Sequence, residues 1–248
     1  MSPQIFVVTG AARGIGYALV QALAERPDTV VYAGVRSFPV DTNSELGQLA
    51  AKYPDAVIPI KITSADEADN QAAAALIKER YSQVDCVIAC AGVASALEGQ
   101  TVRRVTPADI LDDVKINSTG PVTIFQALAE LLLASHAAGG QPKFVAVSSL
   151  AARIVDPVPI EATAYGASKA ALNYIMAKMN LEMAEIVAFP IHPGFVLSDM
   201  SKQAQNIPLD GAISPKESAT GMLNVIEKAT KESHGGKFWD YAGTQLQY

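Results

Sequence analysis

Short runs of β-branched and other apolar residues alternate along this chain with longer Ala- and Leu-rich segments, and that alternation restricts the fold more than any other feature. Ile5 to Val8 precedes a helical pattern over Gly14 to Glu25, Val30 to Val35 precedes Glu45 to Lys52, and Ala56 to Ile60 precedes Ala65 to Tyr81. The series continues with Val84 to Ala89, a long helical stretch over Pro107 to His136, Lys143 to Val147, a helix over Ser168 to Ala184, and Ile186 to Ile191. Strands that are apolar throughout are covered on both faces, and a helix after each one makes their pairing parallel. The expected architecture is α/β, a doubly wound parallel sheet with helices on both faces. No linker rich in Pro, Gly or Ser interrupts the alternation, so residues 1–248 are expected to form a single domain. The one irregular stretch, Ser198 to Ser214, follows the strand at Ile186 to Ile191. It reads as a substrate-loop insertion near 195–214, on the carboxyl edge of the sheet where ligands of such folds bind.

Half of the residues are hydrophobic and 18% are charged, which supplies a large core and excludes a disordered chain. Lys+Arg number 19 against 25 Asp+Glu, and the net charge of −6 offers no footprint for nucleic acid or an anionic membrane. The longest apolar-rich stretch, Ala127 to Ala138, is broken by Glu130 and His136 and falls short of the ~20 residues a bilayer requires. The N-terminus lacks the basic region and long apolar run of a secretory signal. A soluble cytoplasmic protein is expected, without nucleic-acid or membrane partners. Cys86 and Cys90 stand too far apart on one strand to bridge and read as reduced thiols. His136, His192 and His234 lack the ligand spacing of a zinc site, so no metal is expected.

Directly after the first strand stands Thr9-Gly10-Ala11-Ala12-Arg13-Gly14-Ile15-Gly16, and then the first helix begins. Glycines here let the backbone turn tightly against a pyrophosphate, whose charge the helix N-terminus favours, so the sheet reads as Rossmann-type. A plain βα turn would use the same glycines; their place after the first strand argues for the nucleotide. The second strand ends at Arg36 with no acid for a ribose 2′-hydroxyl. Arg36 and Arg13 together offer two guanidiniums to a 2′-phosphate, which makes NADP(H) the expected cofactor; the other reading of Arg36 is a solvated strand-end charge.

Tyr165 and Lys169 lie one helical turn apart on one face. A tyrosine titrates near ~10, and a neighbouring ammonium favours its phenolate, bringing proton exchange closer to neutral pH. An ordinary amphipathic helix would present the same pair. The chain also carries Cys90-Ala91-Gly92 after the fourth strand, Asn117 in the long helix, Ser148-Ser149 after the fifth strand and HPGFVLSDM after the sixth. With TGAARGIG and YGASK, these motifs resemble the short-chain dehydrogenase/reductase family in order and approximate spacing, from Gln4 to about Lys231. AFPIHPGFVLSDM and Arg36 are most similar to its single-domain NADPH-dependent carbonyl or ketone reductases, fungal polyketide ketoreductases included.

The resemblance implies an oxidoreductase that reduces a ketone or aldehyde to an alcohol by hydride transfer. It implies Tyr165 as general acid/base and Lys169 as the cation that lowers its pKa and binds the nicotinamide ribose. Ser149 would donate to the substrate oxygen, with Ser148 as the alternative, and Asn117 would hold a water linking Lys169 to solvent. Cofactor contacts would come from Gly10, Arg13, Gly14, Ile15, Gly16, Arg36, Ile62, Ala91 and Gly92. Pro193 and Gly194 would bend beneath the nicotinamide, with the Val196 backbone and Ser198 hydroxyl on its carboxamide. Phe195 would line the substrate wall or serve as a core aromatic. The family habit of pairing the two long helices implies a homo-dimer or homo-tetramer.

Three positions depart from the family pattern. Cys90 replaces an Asn whose side chain ties the fourth strand to neighbouring backbone. Lys61 replaces an Asp at the adenine, leaving Ile62 to backbone and apolar contact. The 16 positions from Ser149 to Tyr165 exceed the usual spacing and enlarge the loop Ala151 to Thr163 beside the substrate. Two rival functions are weaker. A non-catalytic NADP(H)-sensing protein would need none of Asn117, Ser149, Tyr165 and Lys169. A serine hydrolase using Ser168, His192 and Asp199 would need G-x-S-x-G after a strand, and Ala170 breaks that motif.

Overall fold

A computed structural model describes residues 3–201 and 211–248. Six parallel strands form the frame: β1 (Gln4–Thr9), β2 (Thr29–Val35), β3 (Val57–Lys61), β4 (Cys86–Ala89), β5 (Lys143–Val147) and β6 (Val187–His192). Two short strands extend it, β7 (Phe238–Asp240) parallel to β6 and β8 (Gln245–Leu246) antiparallel to β7, giving the order β3-β2-β1-β4-β5-β6-β7-β8. The winding reverses between β1 and β4, which opens a crevice at their carboxyl ends.

Alternate residues of each strand serve opposite faces. Phe6 and Val8 join one core with α1 (Gly14–Ala24), α2 (Glu45–Lys52) and α7 (Pro215–Lys228). Ile5 and Val7 join the other with α3 (Glu67–Arg80), α5 (Gly120–Ala137) and α6 (Thr163–Glu182). This is the α/β Rossmann-type sheet expected from the sequence.

Two expectations change. The stretch Pro107 to His136 is not one helix: α4 (Pro107–Val114) ends in a π turn over Lys115–Thr119 before α5 begins. Pro121 has no N–H for the carbonyl of Asn117 and its ring crowds that carbonyl. The extra residue of a π turn relieves the conflict, and Gly120 N–H donates to the Lys115 carbonyl five residues back. The second change lies at the C-terminal end, where α7, β7 and β8 stand beyond the elements anticipated. For α7 a local signal exists: Ser214 caps the helix by accepting from Glu217 N–H at 3.1 Å, with Pro215 at the first helical position. The expected substrate loop falls partly on residues 202–210, outside the described residues.

Candidate active site

The β1–α1 turn is built by close approach. A Cβ on Gly16 would lie 2.3 Å from the Gly10 carbonyl oxygen, and one on Gly10, whose φ is +69°, would lie 2.9 Å from the Cα of Ala91. Only hydrogen fits at either place, so the backbones of β1, α1 and the β4 end converge. The helix α1 opens with no side-chain cap and no acid in its first turn, leaving its dipole unanswered. The end of β4 is tied to β1 by Thr9, whose buried hydroxyl oxygen accepts from Cys90 N–H and Ala91 N–H, both at 3.0 Å. Nothing in the sequence marks Thr9 for this duty. Cys86 and Cys90 are both free, and burial pushes each thiol up to about 12.

The predicted nucleotide arginines have different surroundings. Arg13 pairs with Asp199 at 3.0 Å, a partner the sequence did not suggest, while Arg36 stands exposed just past β2. Lys61, at the adenine edge, pairs with Asp69 at 2.9 Å. A hydrogen bond from Thr63 and the Lys61 ammonium hold the Asp69 carboxyl below its usual range. Ile62 is buried beside them.

Asn117 sits within the π turn and is fully buried. Its Oδ1 accepts from Val93 N–H at 2.9 Å, and its Nδ2 donates to the Val93 carbonyl at 2.8 Å and to Ser168 Oγ at 2.9 Å. The carboxamide therefore has no N–H left for a water. Ser168 Oγ donates to the Tyr165 carbonyl at 2.7 Å, and Ser118 Oγ donates to the Ser168 carbonyl at 2.7 Å. These bonds clamp the first turns of α6 onto the π turn. A Cβ on Gly92 would meet Asn117 Oδ1 at 3.1 Å and Lys169 Nζ at 3.5 Å, so both groups border one gap that glycine keeps open.

Tyr165 occupies the first turn of α6, and its phenol faces the Ser149 side chain, which favours the phenolate. Gly166 permits this approach, because a Cβ there would lie 2.8 Å from the Ala151 carbonyl oxygen. Ser149 Oγ accepts from Ala151 N–H at 3.1 Å, which leaves its own hydrogen free to donate. Ser148 is different: buried, it gives its hydrogen to Asn173 Oδ1 at 2.7 Å. Lys169 is 4% exposed, its Nζ 2.8 Å from the Val147 carbonyl oxygen and 5.8 Å from the Tyr165 ring centroid.

Burial outweighs neighbouring charge at both groups. It pushes the Tyr165 phenol up to about 12 against the pull of the Ser149 side chain, with electrostatic contributions from Asp113 and Cys90 adding to the rise. Lys169 is drawn down to about 8, also by burial. Burial thus raises the phenol where the sequence led to an expected lowering by the ammonium, and the phenol is protonated at neutral pH.

Ile15, Gly92, Ser149, Tyr165, Lys169, Pro193, Val196 and Ser198 border one cavity of about 290 Å³, together with Phe195. Leu97, Leu150, Val158, Ile160, His192, Met200 and Ser201 also line it, with Val158 and Ile160 from the loop Ala151 to Thr163 and Met200 and Ser201 from the stretch expected to form the substrate loop. The loops after β4 and β5 are joined by Gln100, whose N–H donates to the Glu161 carbonyl at 3.0 Å and whose carbonyl accepts from Thr163 N–H at 3.1 Å. Across the cavity, Leu197 N–H bonds the Ile213 carbonyl and Ile213 N–H bonds the Phe195 carbonyl, both at 2.9 Å. In such a parallel bridge the N–H and C=O of Val196 point to the opposite edge. A larger groove of about 790 Å³ along α7 and β7 contains none of the predicted residues. Among the described residues no group of His, Cys, Asp and Glu is placed to hold a metal, and no helix is long and apolar enough to cross a membrane.

Sheet order, glycine turn and Tyr/Lys/Ser cluster define a doubly wound α/β oxidoreductase. Comparison with known proteins agrees: the family model for short chain dehydrogenases matches residues 4–207. A norsolorinic acid ketoreductase of Aspergillus parasiticus is 30% identical over 250 residues, spanning 98% of this chain and 91% of its own. Another, from Dothistroma septosporum, is 31% identical over 241 residues, spanning 94% and 88%. The NADPH-bound carbonyl reductase from chicken fatty liver superposes with a TM-score of 0.90 at 28% identity, covering 100% of both chains. The chain belongs to the short-chain dehydrogenase/reductase family and is an oxidoreductase of that family.

Proposed function

We propose that this protein is an NADPH-dependent carbonyl reductase with Tyr165 as its proton donor. The observation that carries this reading is the convergence of Ser149, Tyr165 and a buried Lys169 on one cavity shared with the β1–α1 turn. The residues present fit a dinucleotide: the turn is packed so closely at Gly10 and Gly16 that no Cβ fits, the space at Gly14 is open, α1 begins uncapped, and the Val196 N–H and C=O point away from the bridge to Ile213. Gly10, Gly14, Ile15 and Gly16 would hold the pyrophosphate, Arg36 the 2′-phosphate, Ile62, Ala91 and Gly92 the adenosine side, and Pro193, Val196 and Ser198 the nicotinamide. When bound, the dihydronicotinamide supplies hydride.

The chain's own residues supply orientation and the proton. Ser149 Oγ–H donates to the substrate carbonyl oxygen, and Tyr165 gives that oxygen its phenolic proton as negative charge develops there. Lys169 stabilises the phenolate left behind. Asn117 keeps Val93, Ser168 and the Gly92 gap in register with Lys169, so that a water reaching the gap can return the proton. The pocket is made from loops of the nucleotide-binding unit itself, with residues 1–248 acting as one domain. Exposed Leu111 on α4 and Tyr174 and Leu181 on α6 support a homo-oligomer, checked by sedimentation.

NADPH and NADH oxidation against a panel of ketones and aldehydes tests the function. Tyr165→Phe should lower turnover by about 10²–10⁴-fold, the usual share of a general acid. Undiminished turnover in that variant refutes the donor role, and NADPH binding without any turnover favours a sensing protein.

A further inference from the structure

His192 closes β6 and is one of the residues that line the cavity bordered by Tyr165 and Ser149. Its Nδ1 is shut off from solvent and has no hydrogen-bond partner. The register partner on β7 is Asp240, but that carboxylate is committed to its own turn, where Oδ1 accepts from Ala242 N–H at 3.0 Å and Thr244 N–H at 2.7 Å. Burial draws His192 down to about 4 against the opposing charge of Asp240, so the ring is neutral at pH 7.

A neutral imidazole carries one N–H. With the hydrogen on Nδ1, a buried donor would have no acceptor. With the hydrogen on Nε2, Nδ1 is left only as an unmet acceptor, the more tolerable defect, and the donor belongs to the nitrogen that remains for the cavity. Leu97, Leu150, Val158, Ile160, Phe195 and Met200 make much of the remaining wall apolar, and of its serines Ser148 gives its hydrogen to Asn173 Oδ1 and Ser201 to the Ser198 carbonyl. Among the described lining residues Lys169 is the one Lys or Arg, and its Nζ donates to the Val147 carbonyl.

Building on the reading of this chain as a carbonyl reductase, we propose that His192 determines specificity, its Nε2–H donating to a second oxygen of an uncharged, mainly apolar ketone. Ser149 and Tyr165 are occupied with the reacting carbonyl, Ser198 is assigned to the nicotinamide, and Ser148 and Ser201 have given their hydrogens to Asn173 and the Ser198 carbonyl, which leaves the His192 N–H for another oxygen on this wall. An anionic substrate would find among the described lining residues only the Lys169 ammonium, which this reading assigns to the Tyr165 phenolate.

Matched ketones test the assignment: propiophenone, phenacyl alcohol and 3-hydroxypropiophenone, the last two carrying a hydroxyl one and two carbons from the carbonyl. Their binding to the full chain in saturating NADP⁺ is measured by calorimetry, with NADPH-driven turnover assayed in parallel. His192→Phe should weaken at least one hydroxyketone about tenfold while propiophenone changes by less than about twofold, and His192→Gln, which places an amide N–H where Nε2 stood, should recover most of the loss. Equal loss on all three ketones, no loss on either hydroxyketone, or no recovery with glutamine overturns the proposal. Nitrogen NMR of the wild-type imidazole needs no variant: hydrogen on Nε2 is expected, and hydrogen on Nδ1 overturns it. Selective binding without turnover of any ketone would remove the reductase reading and leave the His192 donor standing. Turnover without selective loss would do the reverse.

Discussion

Replacing Thr9 by valine keeps the shape of the side chain and deletes one oxygen. That oxygen is the acceptor for the N–H groups of Cys90 and Ala91, each at 3.0 Å, on a residue only 4% exposed. Water cannot substitute at such a site. An unsatisfied buried donor costs about 1–3 kcal/mol, and because the two donors share one acceptor and adjust together, the joint loss should be about 3 kcal/mol. For a chain of this size that lowers the melting temperature by about 6–12 °C. The effect should reach the nucleotide turn, since Ala91 is the backbone against which Gly10 packs. Urea unfolding of wild type, Thr9→Val and Thr9→Ser measures the loss, and melts with and without NADPH measure the effect on the turn. The serine variant keeps the acceptor and should stay within about 1 kcal/mol of wild type, while the valine variant gains less from NADPH. A Thr9→Val protein within about 0.5 kcal/mol of wild type would refute the reasoning that one hydroxyl holds the end of β4 against β1.

Four further outcomes are expected. Gly16→Ala drives a Cβ to within 2.3 Å of the Gly10 carbonyl and should cost about 3 kcal/mol or more and abolish measurable NADPH binding, read by unfolding and fluorescence titration. Arg36→Ala should raise KM for NADPH about 10–100-fold, the worth of a charge-assisted phosphate contact, with NADH little changed; parallel shifts for both cofactors would contradict the assignment. Lys169 is drawn from 10.5 to about 8 in the folded chain, so between those values the unfolded chain binds more protons and stability rises with pH. Lys169→Met should lack that rise, seen by comparing urea midpoints of the two proteins at mildly and strongly alkaline pH. Lys231 Nζ donates to the carbonyls of Asn180, Met183 and Ile186 at 2.5, 2.6 and 2.7 Å, closing the C-terminal end of α6. Lys231→Met should cost about 2–4 kcal/mol in urea unfolding.

The six long strands were legible to within about two residues at either end, because each is buried on both faces and so carries an unbroken apolar run. The strands β7 and β8 span three and two residues and offer no run to read. The π turn was hidden for another reason. Gly120-Pro121 stands in the sequence, but the Ile116 carbonyl is met by Ser64 Oγ at 2.9 Å, from a loop 52 residues away. Within the candidate site, Tyr165 and Lys169 could be paired from spacing alone, since they are neighbours within one helical turn. The use of the Asn117 carboxamide on Val93 and Ser168 could not, and neither could the Arg13–Asp199 pair, separated by 186 residues.

The sequence by itself determined the layer architecture, the place of the glycine turn and the pairing of Tyr165 with Lys169, while Ser149 came from the family resemblance. The first three follow from periodicity and spacing, which act within a few residues of chain. Only the tertiary structure decided that Ser149 and not Ser148 faces Tyr165, that Thr9 ties the end of β4 to β1, and that the phenol is pushed up to about 12 with Lys169 drawn down to about 8. Each of these depends on which groups are removed from water and which distant partner replaces it, and both are set by packing between elements far apart in the chain.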